Sequence, residues 1–332
     1  MALIILLCAG WIAYIFFYPS TYNVTTLKER AGTKYWSLAT GSRIAYTLVP
    51  AKGERKPYPL IYLHGGPGAG ITDLEIKVLG RLSEYGFDVY LYDQVGCGHS
   101  ARLENINEYS AVRHKQDLEE IVKQIGTDKV ILLGQSWGSI LSVLYMGDNP
   151  GKVDKMVITA PAAIQPENKA YAAIAVPDSL QMISPTFVNA KVDLRAKAME
   201  FWLRKFNKKL ANDTEADQLA TYTTNYLNKC MVCDTANAVI AEGTEGYYTH
   251  FMTRLSLGKV QNPRPRLVQC DVPVLIMKAQ CDNQKWGYTT EYFDLFRNHE
   301  FVLVKNAGHN IFIEQPAAFV ETIRQFLEKP LN

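Results

Sequence analysis

The chain carries almost no net charge: 35 Lys and Arg stand against 33 Asp and Glu, leaving +2 over 332 residues. A protein whose main partner is nucleic acid needs a broad basic face to replace the counterions on the phosphates, and this balance supplies none. Cysteine is scarce too. Six residues, at 8, 97, 230, 233, 270 and 281, are too few for a disulfide scaffold at this length. Only Cys230-Met-Val-Cys233 has a suggestive spacing, and without a second pair or a neighbouring His it reads as two ordinary thiols. Also missing are internal repeats, low-complexity tracts, a phosphate-binding glycine loop of the dinucleotide or P-loop kind, and any His/Cys cluster with metal-ligand spacing. No metal and no organic cofactor are implied. What is there, 48% hydrophobic and 20% charged residues with 19 Tyr, is the composition of a folded chain with a sizeable core or an aromatic-lined pocket.

Charge is absent from the first 27 residues, Lys28 being the first charged side chain. Residues 2–18 read ALIILLCAGWIAYIFFY. A helix of that length spans roughly 25 Å at about 1.5 Å per residue, against a hydrocarbon core of about 30 Å. Residues 19–26 add uncharged length. No basic start and no small-residue cleavage site mark a removed signal peptide, and Leu7 is bulkier than a lipid-attachment box at Cys8 allows. The expectation is an uncleaved transmembrane anchor and its flank over residues 1–27, hence a membrane partner and a membrane localisation. Lys28, Arg30 and Lys34 follow it and lean toward a cytoplasmic catalytic part, although three charges do not decide the side.

Beyond the anchor the sequence alternates. Residues 35–48 are rich in strand formers broken by Thr40-Gly41, a hairpin pattern. Short apolar runs at 59–63, 87–92, 130–133 and 153–158 alternate with helical spacing at 71–84, 112–125 and up to Met146. Continuous apolar strands of this kind belong to a mostly parallel sheet covered by helices on both faces. The rhythm stops at 161–266, where the spacing is helical, most clearly at 191–210, and returns with 272–278, 288–297, 301–304 and 317–327. One doubly wound α/β domain explains this, with core parts at 28–160 and 267–332 and an inserted helical cap at 161–266.

Three loops agree on one chemistry. Gly134-x-Ser136-x-Gly138 lies between a buried strand and a helix, where glycines permit the sharp turn that lifts a serine hydroxyl above the sheet edge. A serine needs a base, and the base needs a carboxylate to orient it. In an α/β-hydrolase the chain order is Ser, acid, His, the last two following late strands. Asp282 follows the 274–278 run and His309 follows the 301–304 run. Asp294 is a rival acid but sits inside a helical stretch, and His114 reads as a solvated helix residue. The oxyanion needs N–H donors. Trp137, next after the nucleophile, supplies one, and Gly66 of His64-Gly-Gly-Pro-Gly68 is the choice for the other. His64 and Asp93 read as structural, bracing their loops.

HGGPG at 64–68, DQVGCGHS at 93–100, GQSWGS at 134–139 and the Asp282 and His309 loops together resemble the prolyl aminopeptidase (proline iminopeptidase) branch of the α/β-hydrolases. The likeness covers roughly residues 30–160 and 270–332. It implies an α/β-hydrolase fold with a helical cap after the sixth strand, and a serine hydrolase that releases an N-terminal residue, often proline, from small peptides or amides. It also implies acidic residues near the cap that hold the substrate's free amine. Glu245, in Glu245-Gly-Tyr-Tyr248, is similar to the acidic-then-aromatic cap motif and is the candidate. A membrane-associated esterase, lipase or amidase on the same scaffold, taking an ester or amide, is the alternative. A binding module with a dead site is a third reading.

Overall fold

The computed structural model describes residues 1–181 and 192–330. Helix α1 (Ala2–Phe17) precedes the hairpin β1 (Lys34–Ser37) and β2 (Arg43–Val49). Then follow β3 (Leu60–Leu63), α2 (Asp73–Leu79), β4 (Val89–Tyr92), α3 (Ala111–Ile125), β5 (Val130–Gln135), α4 (Trp137–Asp148) and β6 (Val153–Thr159). The next segment carries α5 (Lys169–Ala172), α6 (Leu194–Phe206), α7 (Asp213–Leu227), α8 (Tyr247–Ser256) and α9 (Arg264–Leu267), with no strand among the described residues. The chain closes with β7 (Val274–Ala279), α10 (Trp286–Leu295), β8 (His299–Val304), α11 (Ile311–Glu314) and α12 (Pro316–Glu328).

Eight strands form one sheet in the order β1-β2-β4-β3-β5-β6-β7-β8. The pairings β1–β2 and β2–β4 are antiparallel, and all others are parallel. The apolar runs are continuous because both faces are covered. Ile61, Leu63, Leu132 and Ile158 pack toward α3 and α4, against Leu118, Ile121 and Leu141. Leu60, Tyr62, Ile131, Leu133 and Val157 pack toward α2 and α12, against Leu79, Phe319 and Ile323. Every residue of β5 is buried, which makes it the natural support for a reactive side chain at its end.

Local signals set the boundaries. The helix expected over 71–84 begins with a capping box, Thr72 and Glu75 each bonding the other's backbone, and tightens after Leu79 into a 3₁₀ turn ended by left-handed Gly86. In the cap, α6 is capped by the Asp193 side chain and stopped by Asn207 at φ 50°. Lys191, where that helix was expected to begin, lies outside the described residues.

Two expectations are corrected. α1 has 16 residues, about 24 Å at about 1.5 Å per residue. No helix among the described residues is long and apolar enough to cross a membrane, so the transmembrane anchor is not supported, nor is a membrane partner through it. Residues 19–26, expected to extend it, do not continue the helix, and this stretch and its flank are bonded to the protein instead. Ser20 N donates to Glu215 Oε1 at 3.0 Å, its hydroxyl to Asp193 Oδ2 at 2.8 Å, and Arg30 Nη2 to Ile71 O at 2.6 Å. Arg195 of α6 donates to Phe16 O at 2.6 Å, and the Phe16 ring meets Trp202 edge-on. The second correction concerns cysteine. Cys233 is not an ordinary thiol paired by spacing with Cys230; it forms a disulfide with Cys281, 48 residues on. Local spacing could not reveal a partner that only the fold brings close.

Closing a loop of 48 residues stabilises the fold by about 4 kcal/mol in the chain-entropy account. Cys233→Ser is therefore expected to lower the unfolding free energy by an amount approaching that, measured by urea denaturation. Thiol titration of the denatured chain should find two more thiols after reduction than before.

Candidate active site

Ser136 stands at the junction of β5 and α4 with φ 55° and ψ −113°. That conformation costs a non-glycine residue roughly 1–3 kcal/mol and persists only where the surroundings over-determine it. Here they do, because the flanking glycines are pressed against their neighbours. A Cβ on Gly138 would collide with Leu63 O, and one on Gly134 would collide with Gly138 O and Ser142 Oγ. The helix can start this close to the sheet only without those atoms.

Asp282 and His309 come from the loops after β7 and β8, adjacent parallel strands. His309 Nδ1 and Asp282 Oδ1 are 2.7 Å apart, and both residues are buried. Gln284 N donates to the same oxygen at 3.0 Å, and Lys278 Nζ donates to Oδ2 at 2.7 Å. Burial alone would raise the Asp282 carboxyl. The charge of Lys278 and then that of His309, with the hydrogen bonds of both, outweigh burial and hold the carboxyl well below the usual carboxylate range. Gln135 Nε2 donates to Asn310 Oδ1 at 2.8 Å, tying the residue before Ser136 to the residue after His309.

Trp137 is the first residue of α4, so its N–H has no acceptor within the helix. Gly66 has φ +113°, a conformation few other residues adopt. A Cβ on Gly65 would lie 3.3 Å from Ser136 Cβ, so it is the Gly65 side of this loop that touches the nucleophile turn. Gln94 locks the arrangement. Its N–H donates to His64 Nε2 at 3.0 Å, its Nε2 to His64 O at 3.2 Å, and its Oε1 accepts Trp137 Nε1 at 2.7 Å. His64 thus braces the loop as read from sequence, with Nδ1 left to donate to Gly65 O at 2.8 Å. Asp93 braces it too, accepting Ile71 N at 2.7 Å and His99 N at 2.9 Å. His114 differs from expectation. It is buried, bonded through Nε2 to Thr253 Oγ1 at 3.0 Å and set edge-on against Trp137. Burial, with the charges of His64 and Arg113, lowers its pKa to about 3. It lies on the stripe of α3 that meets α8, a contact that the periodicity of α3 alone does not disclose. Asp294 lies in α10 and bonds Tyr171 Oη at 2.8 Å, away from His309.

Glu245 sits where the inserted helical segment meets the loop at residues 64–68. The next residue, Gly246, donates its N–H to Gly68 O at 2.8 Å. The Glu245 carboxylate is buried and accepts Thr221 Oγ1 of α7 at 2.9 Å, rather than a bond from Ser136 or His309. Burial chiefly, with repulsion from Asp217 and Glu242, pushes its pKa up to about 7, against the hydrogen bonds it accepts.

Sequence reasoning missed three groups. Lys278 stands four residues before Asp282 in an otherwise apolar strand, and that lone charge was the available signal. Glu314 gathers the cap onto the His309 loop, accepting Cys233 N at 2.7 Å, Asp234 N at 2.9 Å and Gly308 N at 2.8 Å. Gln94 lay within the 93–100 segment, but nothing in the sequence marked its bonds to His64 and Trp137. Among the described residues no group of three His, Cys, Asp or Glu could hold a metal ion.

Comparison with known proteins agrees with this architecture. The family described as the alpha/beta hydrolase fold matches residues 58–316. A proline iminopeptidase of Saccharolobus solfataricus is 25% identical over 296 residues, covering 87% of this chain and 90% of that enzyme. One from Clostridium botulinum is 27% identical over 285 residues, covering 83% and 91%. Among solved structures, an esterase of Exiguobacterium antarcticum superposes with a TM-score of 0.63 at 14% identity, over 89% of this chain and 99% of that one. A bromoperoxidase of Bacillus anthracis superposes at 0.64 with 16% identity, over 90% and 100%. These last two share the fold alone.

If Asp93 holds its loop by accepting two backbone N–H groups, Asp93→Asn turns one acceptor into a donor facing a donor. The expected loss is about 2 kcal/mol of unfolding free energy, read from the urea midpoint.

Proposed function

The chain belongs to the alpha/beta hydrolase family, and from that premise we propose that it is a serine aminopeptidase of the proline iminopeptidase kind, working through an acyl-enzyme on Ser136. The observation that carries the mechanism is the 2.7 Å bond between His309 Nδ1 and Asp282 Oδ1, beyond the strand that bears the Ser136 turn. The similarity to proline iminopeptidases over most of the chain supports the substrate class.

In this reading Ser136 Oγ attacks the carbonyl after the substrate's N-terminal residue while its proton passes to His309 Nε2. Asp282 holds the tautomer in which Nδ1 carries hydrogen and stabilises the imidazolium that forms. The N–H groups of Trp137 and Gly66 receive the developing oxyanion. His309 then returns the proton to the departing amine, and water repeats the sequence to free the acid. Glu245, at the cap's contact with the oxyanion loop, receives the free α-amine. A carboxylate offsets much of the cost of burying an ammonium group there.

The test uses the full chain with proline p-nitroanilide, its N-acetylated form and p-nitrophenyl butyrate. Cleavage of the free-amine anilide alone is expected, and Ser136→Ala should abolish it. Cleavage of the butyrate alone would turn the reading to an ester hydrolase. Turnover unchanged in Ser136→Ala would end the serine mechanism.

Glu245→Gln is expected to raise KM for the free-amine anilide about tenfold or more, since a charged hydrogen bond contributes about 1.5–3 kcal/mol. Because only the ionised carboxylate holds an ammonium group, and burial pushes the Glu245 pKa up to about 7, KM in the parent protein should fall as pH rises from about 5 to about 7, below the range in which the substrate's α-amine, with a pKa of about 8, loses its proton. The Gln variant should lose that dependence.

A further inference from the structure

The mechanism above leaves one buried charge unused. Lys278 is wholly shielded from solvent, on a strand whose other residues are all buried. An ammonium group in such a place is costly unless paired and fully bonded. Its Nζ donates to Asp282 Oδ2 at 2.7 Å and to Gln284 O at 2.6 Å. Gln284 N returns a bond to Asp282 Oδ1 at 3.0 Å. Each carboxylate oxygen therefore has its own donors, and rotation of the carboxylate would break bonds on both sides.

We propose that Lys278 is a positioning residue of the triad: it turns Asp282 Oδ1 toward His309 Nδ1 and, through its charge, sets the lowest pH at which His309 can accept the Ser136 proton. This rests on the Ser136–Asp282–His309 reading and deepens it. The sign follows from the charge of the cluster. With Lys278 present, cationic Lys278, anionic Asp282 and neutral His309 sum to zero, and protonating His309 brings the buried cluster to +1. Without Lys278 the same protonation takes it from −1 to zero. Low-dielectric surroundings favour the smaller charge, so Lys278 keeps His309 in its basic form to lower pH. Of the other charged groups, Lys285 and Lys305 on these loops are exposed to solvent, and the carboxylate of Glu314 in α11 is engaged by the backbone N–H groups of Cys233, Asp234 and Gly308. Lys278, Asp282 and His309 are thus the charges that face one another between the ends of β7 and β8.

The test is independent of substrate. A fluorophosphonate probe forms an O–P bond with Ser136 Oγ as fluoride leaves and His309 Nε2 takes the hydroxyl proton. Its second-order labelling rate against pH therefore reports the base directly. In Lys278→Met and Lys278→Gln the acid limb should move up by about one pH unit. Labelling at pH 6 should then fall about tenfold, with less than about threefold change on the alkaline plateau. An acid limb unmoved in both variants would overturn the proposal, whatever the plateau. Failure of both variants to fold would also overturn it, assigning Lys278 to stability alone. Absence of Ser136 labelling in the parent protein would instead overturn the triad reading.

Discussion

A carboxylate removed from water is tolerated only where its lone pairs are met and its charge is balanced. Asp282 meets both conditions, and much of the site depends on how. His309 and Gln284 N take one oxygen and Lys278 takes the other. Those donors come from the β8 loop, the acid's own loop and the β7 strand. The carboxylate thus joins three pieces of backbone whose relative positions are already set by parallel pairing of β7 and β8. Precision at the imidazole comes from the sheet register, transmitted through one side chain.

Ser136 is held by steric exclusion rather than by charge. β5 is buried on both faces between β3 and β6, and α4 starts so near to it that Gly134 and Gly138 have no space for a side chain. Strain at Ser136 is sustained by this crowding. The oxyanion loop is set by a different means, the chain of bonds from His64 through Gln94 to the Trp137 indole. Three segments are thus fixed by devices of different physical kind. Each is anchored in an element that the core stabilises for its own reasons.

The cap is coupled to this machinery on two sides. At one, α8 begins against the oxyanion loop through Gly246 and Gly68, and His250 Nδ1 meets Pro67 O at 2.8 Å. At the other, residues 231–234 lie over both triad loops, covalently through Cys233–Cys281 and by the Glu314 bonds to Cys233, Asp234 and Gly308. The helical segment over the sheet and the Asp282 and His309 loops thereby share one framework. That is what a specificity acid such as Glu245 would require.

By itself the sequence determined the parallel core and the sharp turn that carries Ser136. Buried strands are written as short apolar runs and the elbow as two glycines around Ser136, so both signals are local. The order Ser, acid, His carried Asp282 and His309 for a similar reason, since each falls at a strand end that periodicity locates. The length of α1 was less legible. Residues 19–26 are uncharged, and only their bonds to the cap show that they leave the helix. The burial of His114, the Cys233–Cys281 bridge, the grip of Glu314 on the His309 loop and the Lys278–Asp282 pair were decided by tertiary structure. Each depends on where a residue comes to rest relative to others, usually far away in sequence. Even the four-residue step from Lys278 to Asp282 acquires meaning only when a strand end turns back on itself and burial removes the water that would otherwise separate the two charges.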